Sequence, residues 1–175
     1  MCMSISLMRR GALAAVLALT ATCGEPRATA VAPPAKPSMT NSPGLVLCPT
    51  DTTQTTSTII GLLGGTVGLG STAISIPAGA LSSPTLITLT IPASQYMEIS
   101  VQAGDFLSFL FNQPVSITID YSRCNRTDID NLALTVWHID PVTNQLLENM
   151  GGVDDKTQRT ITFTTSHLST YAVGF

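Results

Sequence analysis

The run TLITLTIP at residues 85–92 constrains this chain more than any other feature, because from Ile87 to Ile91 it alternates strictly between apolar and hydroxyl side chains. Ile87, Leu89 and Ile91 fall on one side and Thr88 and Thr90 on the other. A helix would scatter these residues around its surface, whereas a strand sends successive side chains to opposite faces. The pattern recurs. PVSITIDY puts Val115, Ile117, Ile119 and Tyr121 on one face against Ser116, Thr118 and Asp120. TITFTT sets Ile161 and Phe163 against Thr160, Thr162 and Thr164, and STAISI adds Ile74 and Ile76. One apolar and one polar face per strand predicts antiparallel sheets over a shared core. ALTVWHID (residues 133–140) and FLSFLF (residues 106–111) are apolar on both faces and read as central strands. Turn residues punctuate the runs at Pro77-Ala78-Gly79, Ser83-Pro84, Gln113-Pro114, Asp140-Pro141, Gly151-Gly152 and Asp154-Asp155. Helical signal is confined to single turns at IPAGALSSP and NRTDIDNLA. The predicted fold is all-β, an antiparallel β-sandwich.

The N-terminal quarter reads differently. MRRGALAAVLALTATC carries two arginines, an apolar run and then small residues, the layout of a secretory signal. Thr20-Ala21-Thr22-Cys23 resembles a bacterial lipobox, with Thr20 where Leu is usual and Thr22 where Gly or Ala is usual. Residues 1–23 are therefore expected to be a lipoprotein-like signal peptide with Cys23 as the acylated residue, the alternative being a plain secretory signal cleaved near Cys23. Gly24 follows rather than the Asp that retains lipoproteins at the inner membrane, so an outer-membrane destination in a bacterial envelope is expected. Residues 24–43 are rich in Pro, Ala, Ser and Thr without periodicity and read as a disordered linker. The β-sandwich domain is expected to span 44–175. Removing Arg9 and Arg10 with the signal leaves six basic against eleven acidic residues, a net charge of −5. Such a chain holds no phosphate backbone, so nucleic acid is not expected as a partner. Its membrane contact is expected through the lipid alone.

Cys48 and Cys124 remain in the mature domain. In an oxidising compartment two such residues usually pair, the alternative being two buried thiols. They lack companion ligands for a metal, and no metal ligand set or cofactor is read from the sequence. Asp128, Asp130 and Asn131 offer oxygens at alternate positions but lack the glycine and distal glutamate of an EF-hand loop. His138, beside Trp137, reads as a packed core histidine.

Three stretches together resemble the ZU-five domain, the β-sandwich module of ankyrins and netrin receptors. The first is Gly64-Gly65-x-Val67 followed by Ile76-Pro77-x-Gly79-Ala80-Leu81 and the strand Ile87 to Ile91. The second is FNQPV, with Phe111, Pro114 and Val115. The third is SHLSTYAV, similar to the His-Phe-Ser-x-Phe-Ala-Val ending of bacterial relatives. The resemblance implies a non-enzymatic module for binding or scaffolding, its partner an envelope protein or surface ligand that the sequence does not identify. Some relatives, like the GAIN domain of adhesion receptors, cleave themselves at His-Leu-Ser. Carried over, that chemistry would use His167 as base, Ser169 as nucleophile and Leu168–Ser169 as the scissile bond. The alternative is a bend before a last strand. The sequence contains no GxSxG, HExxH or P-loop motif.

Overall fold

The computed structural model describes residues 44–175. The expected signal peptide, Cys23 and the linker lie outside the described residues. Among the described residues thirteen strands follow one another: β1 (Leu47–Thr50), β2 (Gln54–Ile60), β3 (Gly65–Leu69), β4 (Thr72–Ile76), β5 (Thr85–Ile91), β6 (Ser94–Tyr96), β7 (Glu98–Ala103), β8 (Phe109–Asp120), β9 (Thr135–Ile139), β10 (Leu146–Gly151), β11 (Val153–Asp155), β12 (Thr160–Leu168) and β13 (Thr170–Gly174). A single helical turn, α1 (Arg126–Ile129), lies between β8 and β9. Its start is capped by Asn125, whose side chain accepts from the Thr127 amide.

Two antiparallel sheets form the sandwich. One has the order β10-β9-β13-β7-β5-β2 and the other β11-β12-β8-β4-β3, with a small ribbon of β1 and β6 beside them. The alternation read from the sequence describes the core. Ile87, Leu89, Ile117, Ile119, Ile161, Ile74 and Tyr121 are all sealed from solvent. The opposite faces carry hydroxyl ladders, with Ser57 against Thr88 at 2.8 Å and Thr118 against Thr162 at 2.9 Å. Cross-strand pairs of this kind stabilise a sheet on its wet side. β9 is an interior strand, as its two-sided apolar pattern predicts.

Two expectations are corrected. FLSFLF is a central strand only in its second half: Phe109–Phe111 open the interior strand β8, whereas Phe106 bridges back to Ala103 in a hairpin end, and Phe106 and Leu110 are exposed rather than buried on two faces. A short apolar run does not distinguish burial on two faces from a hairpin edge. Gln113-Pro114 is not a turn but lies inside β8. Proline has no N–H for the ladder. The register between β8 and β12 breaks at this point, from Val115 opposite Thr165 to Leu110 opposite His167. Pro77-Ala78-Gly79 is the expected turn, without a helical turn. Gly79 adopts φ +80°, and its N–H donates to the Leu62 carbonyl at 2.8 Å. The Asn112 N–H in the broken stretch of β8 then reaches the Ala80 carbonyl at 3.0 Å. The Ile-Pro-x-Gly-Ala-Leu element thus docks on the strand interruption that precedes Pro114.

Cys48 and Cys124 are joined in a disulfide. It ties β1 to the turn that follows β8, and the Arg123 guanidinium donates to the Cys48 carbonyl at 3.0 Å across the same join. Behind it, the buried Arg159 donates to the Cys124 carbonyl at 2.9 Å and to the Asp130 carboxylate at 2.8 Å. Asp130, one of the alternate oxygens of the DIDN stretch, is thereby engaged by an arginine.

Candidate functional site

The chain leaves the five-stranded sheet at Leu168 and enters the six-stranded sheet at Thr170. Ser169 is the corner between them. Its carbonyl accepts the Val101 amide at 3.0 Å, which fixes the crossing. Beyond it, β13 is held between β7 and β9. The His-Leu-Ser segment is therefore a change of sheet, the geometric counterpart of the bend expected before the last strand.

The corner brings together side chains from four strands. Tyr171 on β13 lies opposite His138 on β9, and His138 lies opposite Glu148 on β10. Directly paired residues share a face. Ile99 continues the row and is fully buried, so this is the inner face of the sheet. Near the β10 edge that face opens to solvent, and Glu148 is 61% exposed. His167 comes from the opposing sheet, one residue pair beyond the register break at Pro114. The two imidazole centroids are 5.4 Å apart. A cleft of about 230 Å³ borders the cluster, with Glu148, His167 and Met150 in its wall.

Hydrogen bonds hold both rings. The Ser169 hydroxyl and His138 Nε2 are 2.7 Å apart. The Tyr171 hydroxyl donates to the His167 carbonyl at 2.5 Å and stands 3.4 Å from His167 Nδ1. Thr165 accepts from the His167 amide at 3.2 Å and donates to its carbonyl at 3.0 Å. His167 Nε2 faces Glu148 Oε2 at 3.8 Å. Burial lowers the pKa of His138, His167 lowers it further, and Glu148 opposes both. Burial pushes the Tyr171 phenol up to about 12, so it stays a proton donor across ordinary pH. A neutral His138 can accept the Ser169 proton. Two imidazoles and a carboxylate facing one another can also share a cation.

The residues singled out from sequence fall at this site, but in a different pairing. The partner of the Ser169 hydroxyl is His138, which sequence reading placed in the packed core. His167, two residues from Ser169 in the chain, points to Glu148 instead. Sequence reading missed Glu148 altogether. The only available signal was that His138 and Glu148 flank the Asp140-Pro141 turn, which sets them on facing strands of a hairpin. No protein-family model matches this chain, and no curated protein matches it.

Proposed function

We propose that this chain is an exported, lipid-anchored β-sandwich that binds or scaffolds at the cell envelope and catalyses no external reaction. The observation that carries this reading is the Cys48–Cys124 disulfide, a bond that persists in oxidising compartments. The signal-like N-terminus, the lipobox-like Cys23 and the ZU-five resemblance support it. The test is expression of the full chain in a diderm bacterium fed an alkyne-tagged fatty acid. The expected result is a labelled protein in the outer-membrane fraction, with label lost in Cys23→Ala. An unlabelled protein free in the periplasm would refute the anchor, and a reduced protein in the cytoplasm would refute export.

A second reading is favoured by the 2.7 Å contact between Ser169 and His138. Ser169 Oγ attacks the Leu168 carbonyl carbon as His138 takes the hydroxyl proton. The C–N bond breaks, the proton passes to the departing amine, and an ester links Leu168 to Ser169 Oγ. Water then hydrolyses the ester to a Leu168 carboxylate and a free Ser169. His138 replaces His167 as the base. Because β13 is an interior strand, the fragment Ser169–Phe175 would stay in the sheet after cleavage. Intact mass must therefore be measured under denaturing conditions. A chain ending at Leu168, made whole by Ser169→Ala and by His138→Ala, establishes self-cleavage. A full-length mass leaves Ser169 as a structural corner.

A further inference from the structure

We propose that His138, His167 and Glu148 form a binding site for a divalent transition-metal ion of the zinc class. The three residues come from β9, β12 and β10, and one donor atom of each lies within 4.8 Å of the others. Imidazole nitrogen and carboxylate oxygen are the donors that zinc and its neighbours in the first transition row take. Around an ion with bonds of about 2.0–2.2 Å, tetrahedral donors sit about 3.3–3.6 Å apart. His167 Nε2 and Glu148 Oε2 are already at 3.8 Å. Binding would draw the three donors together from within 4.8 Å, and Glu148, 61% exposed on the edge strand β10, is the least enclosed of them.

The surroundings match those of a metal site. A histidine that ligates a metal through one ring nitrogen generally has its other ring nitrogen held by a hydrogen bond. Here the Ser169 hydroxyl stands 2.7 Å from His138 Nε2 and the Tyr171 hydroxyl 3.4 Å from His167 Nδ1, which leaves His138 Nδ1 and His167 Nε2 for the ion. The rings come from two sheets and converge because the Pro114 register break displaces the end of β12 relative to β8. The cleft beside Glu148 and His167 gives an ion a route in from solvent. The disulfide removes Cys48 and Cys124 from competition as ligands. Three protein donors leave a fourth position open, for water or for a donor from another molecule.

The experiment uses the full chain with its disulfide intact. Any thiol left free outside the disulfide is first blocked with N-ethylmaleimide, since it would bind zinc itself. The protein is stripped with EDTA and titrated with zinc chloride by calorimetry. The expected result is one ion bound per chain and a melting temperature that rises with zinc concentration. His138→Gln and His167→Gln should abolish binding, and Glu148→Gln should weaken it at least tenfold. Glu148 is exposed, so that variant decides the matter even if a histidine variant fails to fold. Absence of binding to the wild-type chain overturns the proposal. So does zinc affinity in Glu148→Gln and His167→Gln equal to that of the wild type.

Discussion

Reducing the Cys48–Cys124 bond is expected to cost the domain about 4.5 kcal/mol. The two cysteines are 76 residues apart. In the chain-entropy relation, a loop of that length removes roughly 15 cal/mol/K from the unfolded ensemble, or about 4.5 kcal/mol at 25 °C. Both cysteines are buried, so the folded state has little to gain when the bond opens. The cleanest comparison is one chain, oxidised and reduced, which leaves the core volume unchanged. Urea unfolding followed by Trp137 fluorescence is the assay. With a denaturant slope of about 1.5 kcal/mol/M, the midpoint should fall by about 3 M. A fall worth less than about 1 kcal/mol, at an unchanged slope, would refute loop closure as the source of stability. Hydrogen exchange adds a spatial check. β1 pairs within its own ribbon only with β6, so its amides should lose protection first on reduction.

Three further outcomes follow from the packing. Gly64 has φ +75°, and a Cβ there would lie 2.2 Å from the Ile76 carbonyl oxygen, so Gly64→Ala should lose about 2 kcal/mol or more by urea unfolding. Arg159→Met removes the buried donor to the Cys124 carbonyl and the partner of Asp130; a loss of about 2–3 kcal/mol is expected, and a neutral result would mean that these contacts contribute little. Asp140 accepts from the Thr143 amide and hydroxyl and from the Val142 amide, which hold its carboxyl below the usual carboxylate range. Its contribution is present at pH values above the unfolded carboxylate range and is lost as pH falls through the folded value. The stability gap between wild type and Asp140→Asn should therefore shrink in acid; a gap independent of pH would contradict the assignment.

Much of the architecture was legible because strand geometry is local. A side chain's face depends only on whether its position is odd or even along a strand, so Ile87, Leu89, Ile117, Ile119 and Ile161 could be assigned to the core without knowing any neighbour. The turn at Pro77-Ala78-Gly79 was likewise local, and Gly79 takes φ +80° in it. FLSFLF was read correctly only from Phe109, where β8 begins, because its apolar residues do not alternate and nothing local distinguishes a hairpin tip from a buried strand.

The corner at Ser169 shows where such reading stops. Sequence alone determined that a histidine and a serine stand two residues apart before a final strand. It could not determine which histidine meets the serine, because that depends on strand order and register. β13 pairs with β9, so His138 is set beside the corner, 31 residues upstream of Ser169. The hairpin register places Glu148 opposite His138, and the interruption at Pro114 accompanies the displacement of His167 toward both. Period-two patterning selects a face but leaves the neighbour across the ladder free. Ladder pairing within one sheet chose Tyr171, His138 and Glu148 as neighbours, and the closure of the second sheet over the core brought His167 to them.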